Sequence, residues 1–111
     1  MVNVADIFKT LSDLTRLRLV CMLCAEEEVC VCHLANAMKE PGYKISRHLS
    51  LLKAAGLVVA RRKGTWMYYR LSEARSDFDS LLREFLLKAL DSLPQVREDL
   101  KRLHGFSCEV Q

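Results

Sequence analysis

The feature that most narrows the fold is a junction in the middle of the chain. Two short apolar-periodic segments meet at Pro41-Gly42, and two runs rich in Val, Trp and Tyr follow at once, hinged at Lys63-Gly64-Thr65. Proline followed by glycine breaks a helical pattern, so the first pair reads as two helices joined by a turn. The second pair, residues 57–62 and 66–71, has strand composition with a glycine at its tip, which reads as a hairpin. A helix-turn-helix followed directly by a hairpin is the order of a winged helix-turn-helix.

The rest of the chain fits around that junction. Val4, Ile7, Phe8 and Leu11 recur at helical spacing. Ser12 or Asp13 can cap a second helix, whose apolar stripe is Leu14, Leu17, Val20, Leu23 and Cys24. Residues 29–31 are short and β-branched, enough for one short strand. Residues 33–38 predict a short third helix and residues 43–55 a fourth, stopped by Gly56. Phe78, Leu81, Leu82, Phe85, Ala89 and Leu90 define a long amphipathic helix over 78–93. Pro94 ends or kinks it, and Val96, Leu100 and Leu103 add one or two more turns. The expected class is α+β, in the order ααβααββ with one or two C-terminal helices. At 111 residues the chain has room for one domain. Residues 1–11 and 76–103 are expected to serve as dimerisation helices, and 104–111 as a flexible tail.

Charge says what such a scaffold would touch. Between residues 39 and 70 stand eight bases (Lys39, Lys44, Arg47, Lys53, Arg61, Arg62, Lys63 and Arg70) against one acid, Glu40. The whole chain carries only +3, so the positive charge is concentrated on the turn, the fourth helix and the hairpin. On a helical wheel Ile45, His48, Leu49 and Leu52 fall on one side of the fourth helix, and Tyr43, Ser46, Arg47 and Ser50 on the other. The second helix of a helix-turn-helix enters the major groove, and a basic hairpin tip reaches phosphates or the minor groove. Tyr43, Lys44, Ser46, Arg47, Ser50, Arg61, Arg62 and Lys63 are therefore the candidate DNA contacts, and double-stranded DNA is the expected partner. No apolar run approaches the ~18 residues a membrane span needs. The N-terminus lacks the basic and apolar regions of a signal peptide, so the expected location is the cytoplasm.

Five cysteines, an odd number in a chain expected in a reducing compartment, do not make a disulfide framework. Cys30 and Cys32 stand out because they lie where a strand enters a helix, and there the backbone can turn both sulfurs onto one ion. The partial positive charge at a helix start suits an anionic sulfur, and thiolates select soft ions over magnesium or calcium. Cys24 lies on the inward stripe and reads as packing, Cys21 beside it as partly exposed. His33 reads as an exposed residue in a first helical turn.

Four stretches together carry a resemblance: Phe8 to Arg18, with Leu11-Ser12-Asp13 and Thr15-Arg16 inside it; Val29-Cys30-Val31-Cys32-His33-Leu34; Lys44-Ile45-Ser46-Arg47-His48-Leu49; and Gly64-Thr65-Trp66-Met67-Tyr68-Tyr69-Arg70-Leu71. The chain resembles the ArsR/SmtB family of small dimeric winged-helix repressors that sense metal ions, and within it the arsenical-resistance repressors, whose sensing motif reads C-V-C-D-L-C. The resemblance implies a cytoplasmic homodimer that binds operator DNA and is released when As(III) or Sb(III) binds Cys30 and Cys32. No cofactor is needed for DNA binding; the metalloid is the inducer. Here the motif's aspartate is His33 and its third cysteine is Ala35. The third ligand is then open among Cys21, Cys24, Cys108, a partner's thiol and an exogenous thiol. Two rivals on the same fold are a repressor responsive to Cd, Pb or Zn and one released by oxidation of Cys30 and Cys32. An enzyme using exchanging dithiols lacks a βαβ context and a catalytic base, so no enzymatic activity is expected.

Overall fold

The computed structural model describes residues 3–89 and 92–105. Six helices and three strands follow in the order α1 (Val4–Leu11), α2 (Leu14–Ala25), β1 (Val29–Cys30), α3 (Val31–Met38), α4 (Gly42–Ala54), β2 (Val58–Lys63), β3 (Trp66–Leu71), α5 (Asp77–Ala89) and α6 (Pro94–His104). Local chemistry explains the boundaries. Asn3 caps α1, its Oδ1 accepting from the Asp6 amide at 2.8 Å. Asp13 caps α2 in the same way, accepting from the Arg16 amide at 3.1 Å. Burial pushes the Asp13 carboxyl up, but the Arg16 amide and the Arg16 and His48 charges outweigh it and hold that carboxyl below its usual range.

The sheet has the order β1-β3-β2, antiparallel throughout. Its register places Cys30 opposite Tyr68, and Tyr68 opposite Arg61 on the far side. Gly64 turns the hairpin with φ +62°, a conformation that costs glycine little. The helices pack over this sheet around a core of Leu19, Met22, Leu34, Ile45, Leu49, Leu52 and Val58, all essentially sealed from solvent. This is a winged helix-turn-helix: α3 and α4 are the helix pair, β2 and β3 the wing.

Two elements differ from expectation. Helix α3 starts at Val31, two residues early, so Cys30 is its N-cap and Cys32 lies inside its first turn. Helix α6 is a full 11 residues with Pro94 in its first turn; there proline starts a helix, since a first-turn amide needs no intrahelical partner. His104 closes α6 and pairs with Glu26, Nε2 to Oε2 at 2.7 Å, so residue 104 belongs to the helix and not to the tail expected from that position. Residues 106–111 of that tail, including Cys108, fall outside the described residues. Among the described residues no helix is long and apolar enough to cross a membrane.

Candidate metal centre and nucleic-acid interface

The cysteine pair is built by a change of backbone state. Cys30 is still extended (φ −80°, ψ 154°) and paired with Tyr68, while Val31 is already helical. That bend folds Cys32 back over Cys30 and leaves their sulfurs 2.7 Å apart. One ring nitrogen of His33 joins them, all three ligand atoms lying within 4.8 Å of one another. Cys30 is only 1% exposed, but Cys32 and His33 are half-buried, so the cluster opens toward solvent. Two sulfurs in contact with a third donor beside them fit a single thiophilic ion.

The other described cysteines do not join this group. Cys21 is fully buried rather than partly exposed, and burial pushes its thiol up to about 12. Cys24 packs against the core as expected; burial raises its thiol to about 11, with the charge of Arg83 pulling weakly the other way. Both are packing residues, because forming a thiolate there carries a desolvation cost. Ala35, at the position of the third motif cysteine, is buried and offers no donor. His33 is the residue that sequence reading set aside. Placed in an exposed first turn it had nothing to meet, whereas a helix start at Val31 brings positions 30, 32 and 33 to the same end.

The helix that follows divides as its wheel predicts. Ile45, Leu49 and Leu52 are sealed in the core, and His48 is half-buried with Nδ1 3.3 Å from Nη1 of Arg16. Tyr43 is 72% exposed, Arg47 and Ser50 are exposed, and Ser46 is half-buried on the same flank. Lys44 is half-buried and pairs with Glu40 at 3.2 Å. Arg62 and Lys63 are exposed on the wing. Arg61 is exposed too, but it is engaged: its Nε and Nη2 donate to Glu28 at 3.1 and 2.7 Å, and its guanidinium lies 5.2 Å from the centre of the Tyr68 ring. The Arg61 hydrogen bonds hold the Glu28 carboxyl below its usual range. Glu28 lies two residues before Cys30, so the wing is tied to the strand that carries the thiols.

A second tie was not legible in the sequence. Asp99 of α6 is fully buried and accepts from Arg18 of α2 at 2.9 and 2.7 Å and from Arg102 at 3.1 Å. Arg102 also donates its Nε to the carbonyl of Ala37 at 2.6 Å. Helix α6 is thereby fastened to α2 and to the last turn of α3. On another side of the molecule, Phe8 of α1 meets Phe78 of α5 edge-on at 5.7 Å. The same two helices leave Val4, Phe8, Leu81, Phe85 and Leu87 exposed, Phe85 by 65%. That is more apolar surface on two neighbouring helices than a solvated face requires.

Comparison with known proteins adds the following. The family described as "Bacterial regulatory protein, arsR family" matches residues 13–59. The chain is 38% identical over 109 residues to the arsenic resistance transcriptional regulator ArsR2 of Pseudomonas putida, an alignment covering 95% of this chain and 92% of that protein. It is 48% identical over 67 residues to the arsenical resistance operon repressor of Escherichia coli K12, covering 60% of this chain and 57% of that one. Among solved structures, reduced HlyU from Vibrio cholerae superposes with a TM-score of 0.66 at 27% identity, covering 76% of this chain and 84% of that one.

Proposed function

The chain belongs to the ArsR family of bacterial regulatory proteins, and from that premise we propose that it is an As(III)- and Sb(III)-responsive repressor, released from operator DNA when the metalloid bridges Cys30 and Cys32. Metal-responsive transcriptional repression is the activity of the family; the choice of metalloid and the residues that carry it are our reading. The observation that supports it most is the 2.7 Å between the two sulfurs at the start of the helix that precedes the groove-reading one.

In this reading two copies associate through the exposed apolar faces of α1 and α5, and each presents one α4 to adjacent major grooves about one helical turn apart. Tyr43, Ser46, Arg47 and Ser50 face base edges and phosphates, with Lys44 at their flank. Arg62 and Lys63 add sequence-independent affinity that weakens with salt, and Arg61 joins them when Glu28 lets it go. An ion drawn between the sulfurs reorients α3, which packs against α4. Release needs only the ~1–3 kcal/mol usual for coupling between two sites.

The test is operator binding by fluorescence anisotropy with increasing arsenite, for the wild type, Cys30→Ser and Cys32→Ser. Arsenite is expected to release the wild type and leave both variants bound; variants that respond like the wild type sink the assignment. The closeness of the sulfurs also favours one second reading, oxidation of the pair as the releasing event. Diamide without arsenite, and arsenite under excess reductant, separate the two.

A further inference from the structure

We propose that Arg102 is a positioning residue for DNA recognition: from α6 it grips the last turn of α3 at the Ala37 carbonyl, and so sets the angle at which α4 is presented to a groove. The proposal rests on DNA binding by the α3–α4 pair and needs nothing of Cys30 and Cys32.

The end of α3 is the first support. A helix leaves its last four carbonyls without partners among its own amides. Here the chain turns left-handed at Lys39 (φ 56°, ψ 44°), whose amide bonds the Asn36 carbonyl at 3.1 Å, and the Glu40 amide bonds the Ala35 carbonyl at 3.0 Å. That pair of bonds is the usual left-handed helix ending, and it leaves the Ala37 carbonyl over. Arg102 takes it, Nε donating at 2.6 Å, so a side chain far along the sequence completes the cap. Among the described residues Lys39 is the one non-glycine with positive φ. A side chain adopts that backbone state at a cost, and it persists where the surrounding structure fixes it.

The aim of Arg102 is the second support. Its Nε and Nη2 form one edge of a planar guanidinium, the first on Ala37 and the second on Oδ1 of Asp99 at 3.1 Å. Asp99 is fully buried and is itself held by Arg18 of α2 at 2.9 and 2.7 Å. A buried carboxylate keeps its charge only with such partners, and a lysine cannot reproduce the fork that spans carboxylate and carbonyl. The third support is the short path to α4. From Ala37 the chain reaches it through buried Met38, then Lys39, Glu40 and Pro41, the N-cap of α4, whose ring fixes φ at −63°. A rotation at Ala37 passes into α4 with little slack, and Tyr43 and Arg47 stand in the first two turns.

The test is binding of the full-length wild type, Arg102→Lys and Arg102→Gln to two duplexes, one enriched by the wild type from a random pool and one scrambled. Salt titrations and amide hydrogen exchange accompany it. Both variants are expected to bind the enriched duplex about 10-fold more weakly, with scrambled-duplex affinity and salt slope as in the wild type. Exchange at the Lys39 and Glu40 amides is expected to quicken while Leu49 and Leu52 keep their protection, a local change that general unfolding does not produce. Asp99→Asn, which keeps the shape and removes the charge, is expected to copy Arg102→Lys. Equal weakening on both duplexes with a salt slope lower by about 0.9 makes Arg102 a phosphate contact and overturns the proposal. Wild-type affinity in both Arg102 variants also overturns it, as does faster exchange throughout the core. A wild type that enriches no duplex overturns the proposal together with the DNA-binding reading beneath it.

Discussion

At the scale of single residues, the four described cysteines, of one chemical kind, divide by where the fold puts them. Cys21 and Cys24 are driven upward by burial, to about 12 and about 11. Alkylation of the native protein near pH 8, read by mass spectrometry, is expected to spare Cys21 until denaturant is added. The same burial has a pH signature with a definite sign. The folded chain holds the Cys21 proton up to about 12, the unfolded chain only to its ordinary 9.0. The stability this group contributes is therefore complete below pH 9 and lost as pH climbs from 9 toward 12. Cys21→Val, close in volume, is expected to move the alkaline unfolding midpoint upward, measured by circular dichroism against pH. On the flank of α4 proposed to read DNA, Arg47 is exposed. Arg47→Ala is expected to weaken operator binding by about 1–3 kcal/mol while leaving thermal stability within about 0.5 kcal/mol.

At the scale of elements, two polar ties decide how the parts move together. Glu28 holds Arg61 in a bidentate pair at the base of the wing, an exposed arrangement worth little to stability. It competes, however, with any phosphate for that guanidinium. Glu28→Gln is expected to tighten operator binding and steepen the slope of log affinity against log salt by about 0.9, the value of one added phosphate contact. The second tie is buried. Removing Asp99 leaves Arg18 and Arg102 without their shared carboxylate inside the fold. Asp99→Ala is expected to cost about 3–5 kcal/mol in urea denaturation. Neither tie could be read from the sequence, since the partners are 33 and 81 positions apart. What could be read was periodic or covalently local: the stripe of α2 and its Asp13 cap, the two faces of α4, the hairpin at Gly64, the spacing of Cys30 and Cys32. The misjudged boundaries have local causes too. Val31 and Cys32 carry no cap signal and favour strand, which hid the start of α3 and with it the nearness of His33. The charged run Arg97-Glu98-Asp99 masked α6, whose apolar positions are only Val96, Leu100 and Leu103.

At the scale of the whole molecule, positive charge and apolar surface occupy different regions. The basic block runs through α4 and the wing, while the uncovered Phe85, Leu81 and Phe8 lie on α5 and α1. A dimer built on the apolar side keeps both basic sides available for one duplex. Leu81→Glu with Phe85→Glu is expected to give a monomer in sedimentation velocity that keeps its fold and binds operator far more weakly. Association with these faces intact is the opposite outcome, and it would falsify their assignment as the interface. Within each copy, Arg102 anchors the carbonyl of Ala37 and is itself anchored on Asp99, so the C-terminal end of α3 is pinned while its N-terminal end carries the two sulfurs. A rod fixed at one end pivots; it does not slide. Under the proposed function, an ion chelated at the far end would change the pitch of α3, and hence the angle at which α4 would meet a groove, while the spacing between two copies would stay as the proposed dimer sets it.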